Sequence, residues 1–302
     1  MDGKTNNLLK RLQQDMPDYS KGQKLIANYI LNSIEKAAYM TAARLGELVG
    51  VSESTVVRFA VELGFDGYPT MQKALQEISR SKLTLLQRVE VSNARINPDN
   101  VLKSVLMADM DNIKQTMEEL DNGEFTKTID TIMEAKKIYI LGVRSSAPLA
   151  SFLGFYFNLL FDNIRLVHTT SVSEMFEQIL NVGEDDVVIG ISFPRYSTRT
   201  LKAMKYANAQ GATTIAITDS KESPLALTSA HSLFARSDMA SFVDSLVAPL
   251  SVINALLVAV CLRRTEHIAK TFDKLEKIWE EYSVYEKYEQ EDDEKENEEE
   301  ID

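Results

Sequence analysis

The spacing of apolar residues changes near residue 136 of this 302-residue chain. Before that point, apolar residues recur every three or four positions, which is the period of amphipathic helices. After it, short continuous apolar runs alternate with helical stretches, a pattern typical of parallel strands that are buried on both faces. We therefore predict an all-α domain followed by an α/β domain with a parallel, five-stranded, doubly wound sheet and flanking helices.

Each expected strand of the second half is an apolar run bounded by turn residues. We place the strands at 137–141, 164–167, 187–191, 213–217 and 232–235. Helices are expected at 145–161, 173–180, 197–210 and 244–262. Because the crossovers between parallel strands are right-handed, the strand-to-helix turns fall on one edge of the sheet, where open α/β sheets bind ligands.

Two of these turns carry hydroxyl and guanidinium groups at the start of a helix. The first turn follows the strand at 137–141, and the second follows the strand at 187–191. Hydroxyls and backbone N–H groups at helix N-termini suit an anion, most simply a phosphate. The candidate ligand-binding residues are Arg144, Ser145, Ser146, Ser192, Arg195, Ser197 and Thr198.

The first half contains a pattern typical of a helix-turn-helix motif. Thr41 can cap a short helix that ends at Gly50, and Ser52 can cap a second helix that Gly64 closes. Gly46 leaves room for the second helix to cross the first. The apolar residues that would bury the two helices against each other are Leu45, Val49, Val51, Val56 and Phe59.

The second helix of this motif would enter the major groove of DNA with its N-terminal half. Its hydroxyls can donate to phosphates or base edges, and its arginine can read guanine or hold a phosphate. The candidate DNA-binding residues are Thr41, Ser52, Ser54, Thr55 and Arg58. The alternative is an ordinary pair of helices in a bundle, with Ser52 a helix cap and Arg58 a solvated charge.

Two further helices are expected in the head. Ser20 can cap a helix with a buried apolar stripe, and a turn at 65–70 leads into a helix at 71–80. The stripe consists of Ile26, Tyr29, Ile30 and Ile34.

Beyond the head, residues 81–98 are a candidate linker in which Ser81, Ser92 and Asn93 interrupt the helical pattern, although residues 83–91 could be helical. A long amphipathic helix is expected at 99–120. Its apolar stripe either faces the core or forms a dimer seam.

Charge is unevenly distributed along the chain. The net charge of −12 taken alone does not favour a nucleic-acid binder. Residues 1–95 nevertheless carry 13 Lys+Arg against 10 Asp+Glu, which makes the head mildly basic. Residues 281–302 carry 12 acidic residues and 2 lysines. This composition predicts a disordered tail, which either solvates the chain or competes with DNA for the head.

The sequence also argues against several classes of site. The single Cys261 excludes an internal disulfide and fits a reducing cytoplasm. No stretch suits a signal peptide or a membrane span, so we expect a cytoplasmic protein with no membrane partner. The three histidines lack metal-ligand spacing and there is no Walker-type phosphate loop, so neither a metal nor a cofactor is expected.

Several short motifs occur together in the two halves. In the head they are Ala27-Asn28-Tyr29-Ile30, Thr41-Ala42-Ala43-Arg44-Leu45, the run from Gly50 to Phe59, and Leu63-Gly64-Phe65-Asp66-Gly67-Tyr68. In the body they are Asp185-Asp186-Val187-Val188-Ile189, Ile191-Ser192, the run from Gly211 to Thr218, and Ser223-Pro224-Leu225-Ala226. With these motifs the chain resembles the RpiR/MurR family of bacterial transcription regulators, which join a helix-turn-helix domain to a sugar isomerase (SIS) domain.

The resemblance implies a SIS domain that binds a phosphosugar. The first turn of such domains usually runs Gly-x-Gly-x-Ser, and the third-strand turn runs Ser-x-Ser-Gly-x-Thr. Gly142, Ser146 and Ser192 stand at matching positions. Ser197 supplies a hydroxyl in place of the usual threonine.

Two arginines depart from the pattern of the family. Arg144 stands where the second glycine is usual, and Pro194 and Arg195 replace the usual Ser-Gly pair. One interpretation is a more strongly anionic ligand, such as an acidic sugar phosphate held by bidentate arginine contacts. The other is a domain that has lost phosphosugar binding and serves only for dimerisation. We expect that anion binding is retained.

From the resemblance we expect a repressor of carbohydrate-metabolism genes that binds a double-stranded DNA operator as a homodimer or homotetramer. A phosphorylated sugar or sugar acid would control it, with the sign of that control left open. The alternative is a phosphosugar isomerase-type SIS enzyme with an accessory helical domain. Its base would be Glu174, His168 or His231. Each of these has a simple structural role, so we do not expect an enzyme.

The expected division of the chain follows from these motifs. We assign residues 1–80 to the helix-turn-helix domain and 81–123 to a linker and amphipathic helix. The SIS domain is placed at 124–264, a C-terminal helix at 265–282 and the acidic disordered tail at 283–302.

Overall fold

The first half of the chain folds into helices, as predicted. The computed structural model describes residues 4–80, 84–93, 96–168, 171–239 and 242–285. The first six helices are α1 (Lys4–Gln14), α2 (Lys21–Asn32), α3 (Ile34–Ala37), α4 (Ala42–Val49), α5 (Glu53–Glu62) and α6 (Tyr68–Arg80). Three more are α7 (Leu85–Asn93), α8 (Val101–Glu118) and α9 (Asn122–Glu134).

The first six helices share one apolar core, to which Leu12, Ile26, Leu45, Phe59 and Leu75 each contribute a fully buried side chain. The helices begin where their caps predict. A capping box at Ser20 starts α2, in which the serine accepts from the backbone N–H of Gln23 and the glutamine side chain accepts in return.

Two expectations about the head are wrong in detail. The helix capped by Ser20 ends at Asn32, because Ser33 leaves the helical region with φ −148° and ψ 50°. Ile34 therefore begins a separate short helix, although its side chain still packs into the same core. Helix α6 begins at Tyr68 rather than at residue 71, since Pro69 fits the first turn of a helix.

The candidate linker contains a helix. Ser92 and Asn93, which we expected to interrupt the helical pattern, are the last two residues of α7. This helix has its own capping box, in which Thr84 and Gln87 each accept from the backbone N–H of the other. The predicted break at Ser81 lies outside the described residues.

The second half forms the predicted parallel five-stranded sheet. Its strands are β1 (Lys137–Gly142), β2 (Ile164–Val167), β3 (Asp186–Ile191), β4 (Thr213–Thr218) and β5 (His231–Phe234). Its helices are α10 (Ala147–Leu160), α11 (Val172–Gln178), α12 (Thr198–Ala209), α13 (Val247–Arg263) and α14 (Thr265–Glu281). The strand order is β2-β1-β3-β4-β5, and every pairing is parallel.

Both faces of the sheet are covered, as the continuous apolar runs predict. Along β1, Ile138 and Ile140 pack with α10 and α13, whereas Tyr139 and Leu141 pack with α11 and α12. This alternation follows from the two-residue period of a strand.

The segment between β5 and α13 differs from the prediction. The helix expected from residue 244 begins at Val247, and Asp244 instead forms an isolated antiparallel bridge with Met239. In this loop at 235–246, the described residues 235–239 and 242–246 belong to no helix or strand of the sheet.

The apolar stripe of α8 does not face the core. Leu102 and Met110 are 74% and 69% exposed, and Leu106 and Met117 lie on the same exposed face. An adjacent face of the helix carries the buried Asn112 and Thr116. The core-facing alternative is therefore wrong for these four residues, whereas Val105 and Ile113 of the predicted stripe are half-buried.

The chain beyond α14 is described only as far as residue 285. The acidic run that we expect to be disordered occupies mainly residues 286–302, which lie outside the described residues. That expectation stays a prediction.

Candidate functional sites

The strand order places the two polar turns next to each other. From β1 the chain proceeds to β2 on one side, whereas β3 lies on the other side, so the direction of winding reverses between β1 and β3. Open α/β sheets bind ligands in the crevice at such a point, outside the carboxyl ends of the strands. The turn at 142–146 leaves β1 there, and the turn at 192–198 leaves β3, with Gly142 paired to Ile191.

The first turn is tight and needs its glycine. A Cβ atom at Gly142 would lie 2.7 Å from the carbonyl oxygen of Ser146. Residues Arg144–Ser146 form a 3₁₀ turn that leads into α10, whose N-terminus receives no side-chain cap from Ser146. The N–H of Ala147 donates to the carbonyl oxygen of Arg144 and Pro148 has no N–H, so the first turn of α10 leaves few N–H groups for a ligand. Arg144 and Ser145 are exposed and Ser146 is buried.

The second turn is held by its own serines. The hydroxyl of Ser192 accepts from the backbone N–H of Ser197 at 3.1 Å. The hydroxyl of Ser197 caps α12 by accepting from the N–H groups of Arg199 and Thr200 at 3.2 and 3.4 Å. Both oxygens thus accept within the turn, and a ligand would use their O–H groups as donors.

The two arginines occupy the backbone conformation of a glycine. Arg144 has φ 57° and Arg195 has φ 65°, and both side chains are exposed. A left-handed conformation costs an L-residue roughly 1–2 kcal/mol. The turns therefore keep a glycine-like backbone while a guanidinium group stands on each side of the crevice.

Two residues of this edge were missed from the sequence. The Tyr196 hydroxyl donates to Asp219 Oδ1 at 2.8 Å, and Thr218 donates to the same oxygen at 3.3 Å. Asp219 is buried directly after β4 and ties the second turn to the neighbouring strand. Asp219 could have been found from the sequence, because it is a polar residue directly after an apolar run that predicts a buried strand.

The loop at 235–246 connects the same edge to the helices before the sheet. The backbone N–H of Ala235, the first residue of the loop, donates to the carbonyl oxygen of Thr218 at 2.8 Å. Farther along, Asn112 of α8 exchanges two hydrogen bonds with the backbone of Asp238, at 3.0 and 3.2 Å. Near its end, Asp244 accepts from Nη1 of Arg88 on α7 at 2.7 Å. The side chains of that ion pair are 3% and 15% exposed.

The candidate bases for isomerase chemistry do not converge on the two turns. His231 starts β5 at the opposite edge of the sheet, where Nδ1 lies 3.0 Å from Glu124 Oε1. His168 and Glu174 are exposed, and the backbone N–H of His168 donates to the side chain of Gln178. Thus no histidine or glutamate of this set sits between the two serine turns.

The head has the geometry of a helix-turn-helix motif. A Cβ atom at Gly46 would lie 2.8 Å from the carbonyl oxygen of Val51, so only glycine allows this approach of the turn to α4. Gly50 has φ 77°, the left-handed conformation predicted for the turn. Thr41 and Ser52 cap α4 and α5 by accepting from Arg44 N and Thr55 N.

Four of the candidate DNA-binding residues lie close together on α5 and its cap, with Ser52, Ser54 and Arg58 exposed and Thr55 half-buried. The hydroxyl of Ser52 lies 2.9 Å from that of Ser54 and 2.8 Å from that of Thr55. Arg58 is exposed on the next turn of α5, where its Nε donates to the carbonyl oxygen of Ser54 at 3.2 Å. This hydroxyl and guanidinium surface starts at the N-terminus of α5, where a helix dipole also favours phosphate.

The turn before α4 is fixed by side chains of α6. The Tyr68 hydroxyl and the Gln72 amide both donate to the carbonyl oxygen of Met40 at 2.7 Å. The Gln76 amide donates to the carbonyl oxygen of Ala38 at 2.9 Å. Burial raises the pKa of the Tyr68 phenol to about 12. These contacts, between residues about 30 positions apart, were not predicted.

Two further observations concern other classes of site. Within the described residues, no group of three or more His, Cys, Asp and Glu side chains could hold a metal ion, and the expectation of no metal stays a prediction. No single helix in the described ranges is long and apolar enough to cross a membrane. Helix α13 and residues 268–281 pass that test of length and composition jointly, but they are bent by 106° at their junction.

The fold and these surfaces define a class: a protein that joins a helix-turn-helix domain to a parallel α/β domain, as transcriptional regulators do. Residues 6–82 match the helix-turn-helix domain of the rpiR family, and residues 131–259 match the SIS domain. The chain belongs to the RpiR family of transcriptional regulators.

Similar proteins agree with this membership. HexR of Escherichia coli, an HTH-type transcriptional regulator, is 27% identical over 284 residues, which cover 90% of this chain and 93% of HexR. The sugar isomerase domain of an RpiR transcription factor from Sphaerobacter thermophilus is 26% identical to this chain, with a TM-score of 0.56. The match covers 59% of this chain and 99% of the Sphaerobacter chain.

A second structure extends the similarity of fold to the whole chain. NanR of Vibrio vulnificus, solved in complex with ManNAc-6P, has a TM-score of 0.54 at 19% identity and covers 93% of this chain and all of NanR. At this identity the comparison shows the fold alone.

Proposed function

We propose that this chain is a cytoplasmic, dimeric repressor of carbohydrate-metabolism genes, controlled by a phosphorylated sugar or sugar acid. The ligand would bind at the crevice between the turns at 142–146 and 192–198. The observation that carries this proposal is the adjacency of the two serine turns at the point where the sheet reverses its winding. The phosphosugar bound to NanR, a protein of the same fold, supports it.

DNA binding would use the surface at the N-terminus of α5. Ser52, Ser54 and Thr55 are placed to donate to phosphates or base edges, and Arg58 to reach a guanine or a phosphate. Thr41, at the start of α4, would contact the backbone of the duplex. A bidentate arginine–guanine contact discriminates against the wrong base by about 1–3 kcal/mol.

A second copy of the chain would pack against the exposed stripe of α8. Leu102, Leu106, Met110 and Met117 recur at steps of four, four and seven residues and remain uncovered along the helix. The stripe ends at an apolar cavity of about 170 Å³, lined by Ile113, Leu120, Phe125 and Val252 among others. An uncovered apolar surface of this kind marks an interaction site, and a palindromic operator needs two heads.

Control of the head would pass through the loop at 235–246. The loop begins at the sheet edge beside Thr218 and ends at the ion pair between Asp244 and Arg88 of α7. Helix α7 follows the last helix of the head, so movement of this loop would change where the head is held. Such coupling requires that the ligand prefer one position of the loop over another.

A thermal-shift screen of phosphorylated sugars and sugar acids tests the proposed ligand class. A ligand present at 100 times its dissociation constant should add about 2.7 kcal/mol of stability. Selection of bound duplexes from a random DNA pool then supplies an operator for titration with the wild-type chain and Arg58→Ala. Specific binding that weakens in Arg58→Ala supports the proposal. Absence of any sequence preference at physiological salt would overturn it.

A further inference from the structure

We infer that Arg144 and Arg195 select ligands with a second anionic group. The effector is then a phosphorylated sugar acid rather than a phosphosugar whose only anionic group is the phosphate. This inference deepens the proposed function and rests on it. It concerns which member of the phosphosugar class binds at the same crevice.

Arg144 and Arg195 both have a strained backbone. Among the described residues, three non-glycine residues have positive φ, and two of them are Arg144 and Arg195. They stand in the two turns that flank the crevice. Strained backbone persists where the surrounding structure enforces it and tends to cluster at ligand sites. A glycine would relieve the strain at either position, so the arginine side chains are retained against a conformational cost.

The second argument is that both guanidinium groups are available. Each arginine is exposed, and in the described part of the chain no hydrogen bond or ion pair joins either guanidinium group to another residue. The nearby carboxylate, Asp219, is buried and accepts from Tyr196 and Thr218. The crevice thus has two positive charges at its rim and one negative charge bound below them.

The third argument is that the turns already hold donors for one phosphate without the arginines. The O–H groups of Ser146, Ser192 and Ser197 are uncharged donors at the same edge. Two guanidinium groups added to this set exceed what one phosphate requires. Their planar pairs of N–H groups match a carboxylate, which accepts two parallel hydrogen bonds.

Matched pairs of ligands test the inference. Each pair keeps the phosphate and the open carbon chain and differs only in a terminal alcohol or carboxylate. Suitable pairs are glycerol 3-phosphate with 3-phosphoglycerate, erythritol 4-phosphate with 4-phosphoerythronate, and sorbitol 6-phosphate with 6-phosphogluconate. Affinities are measured by calorimetry on the full chain, with inorganic phosphate as a further probe.

In the wild type, the acid of at least one pair should bind about 10- to 100-fold more tightly than its alcohol, as expected for hydrogen bonds to a charged group. Arg144→Gly and Arg195→Gly should reduce this ratio, and the double variant should remove it while alcohol binding remains. Arg195→Gln separates lost charge from relieved strain, because glutamine keeps the left-handed backbone. Lys205→Gln removes an exposed charge on α12 away from the turns and should leave the ratio unchanged.

The outcomes distinguish this inference from the proposed function. Equal binding of acid and alcohol in every pair overturns the inference and leaves the phosphosugar sensor standing. A preference for the acid that survives in the double glycine variant overturns the assignment to these arginines. If no compound of the set binds while the thermal-shift screen finds a phosphorylated sugar that does, the inference fails and the proposed ligand class stands. If no compound of either set binds, the proposed ligand class fails as well.

Discussion

The buried ion pair between Arg88 and Asp244 holds helix α7 on the SIS domain, and its removal is the most informative perturbation of the chain. The pair joins residues 156 positions apart at 2.7 Å. Substitution Asp244→Ala removes the Asp244 carboxylate from a guanidinium group that is 97% buried. Removing one member of a buried pair typically costs about 3–5 kcal/mol. Because Asp244 is 15% exposed and partly hydrated, we expect the lower end of that range, about 3 kcal/mol.

Hydrogen exchange of the α7 amides measures this cost locally. A loss of about 3 kcal/mol corresponds to roughly 100-fold faster exchange through local opening, since 1.4 kcal/mol is a factor of ten. The double variant Arg88→Met/Asp244→Leu should recover most of the protection, because apolar residues can replace a buried pair without loss. The matched control is Asp273→Ala, which removes an ion pair of the same 2.7 Å length whose side chains are 73% and 68% exposed. Its effect should stay below about 1 kcal/mol.

The same variants test the proposed coupling. In Asp244→Ala, ligand binding at the sheet edge and DNA binding without ligand should persist, whereas the effect of ligand on DNA affinity should disappear. Unchanged α7 exchange in Asp244→Ala would refute the reasoning about the ion pair. Faster exchange with an intact ligand response would refute the proposed route through the loop at 235–246.

Three further predictions concern the head and the α8 stripe. Gly46→Ala should destabilise the head by about 1–3 kcal/mol in a urea titration and weaken DNA binding, because its Cβ would lie 2.8 Å from the Val51 carbonyl oxygen. The control Gly183→Ala, whose Cβ would have no atom within 4 Å, should be tolerated in the same titration. The Tyr68 phenol, whose pKa is raised from 10.0 to about 12, should contribute about 2–3 kcal/mol that is fully present below pH 10 and lost as pH rises toward 12, since the unfolded chain releases its proton first. Denaturation at several pH values should show that Tyr68→Phe lacks this loss. Met110→Lys should yield a folded monomer in light scattering, whereas Asp111→Lys on the opposite exposed face of α8 should leave the dimer intact; a monomeric wild type would contradict the proposed interface.

The strands and caps were predictable because their causes are local. Each strand is a continuous apolar run, so its position agrees with the structure to within a residue at either end. The caps at Thr41 and Ser52 and the left-handed Gly50 follow from residue types at fixed spacing. That both serine turns lie on the same edge of the sheet also followed, because the crossovers between parallel strands are right-handed. The strand order that makes the two turns neighbours required the structure.

The contacts that tie distant segments together were not predictable. Nothing in the composition of α7 indicates that Arg88 pairs with a residue 156 positions later, and the same holds for Asn112 and Asp238. The apolar period of α8 predicts a helix but does not decide what covers its stripe. The departure of Arg144 and Arg195 from glycine was visible in the sequence, whereas their left-handed backbone required the structure.

The most direct test of the account is a titration of labelled operator with the full chain, with and without a phosphorylated ligand that the thermal-shift screen identifies. We expect specific binding at least about 10³-fold tighter than to unrelated duplex, and a ligand-dependent change in affinity of about 5-fold or more. Arg58→Ala should lose about 1–3 kcal/mol of specific binding. A ligand that binds the SIS domain yet leaves the operator affinity unchanged would contradict the central claim that this domain controls the DNA-binding head.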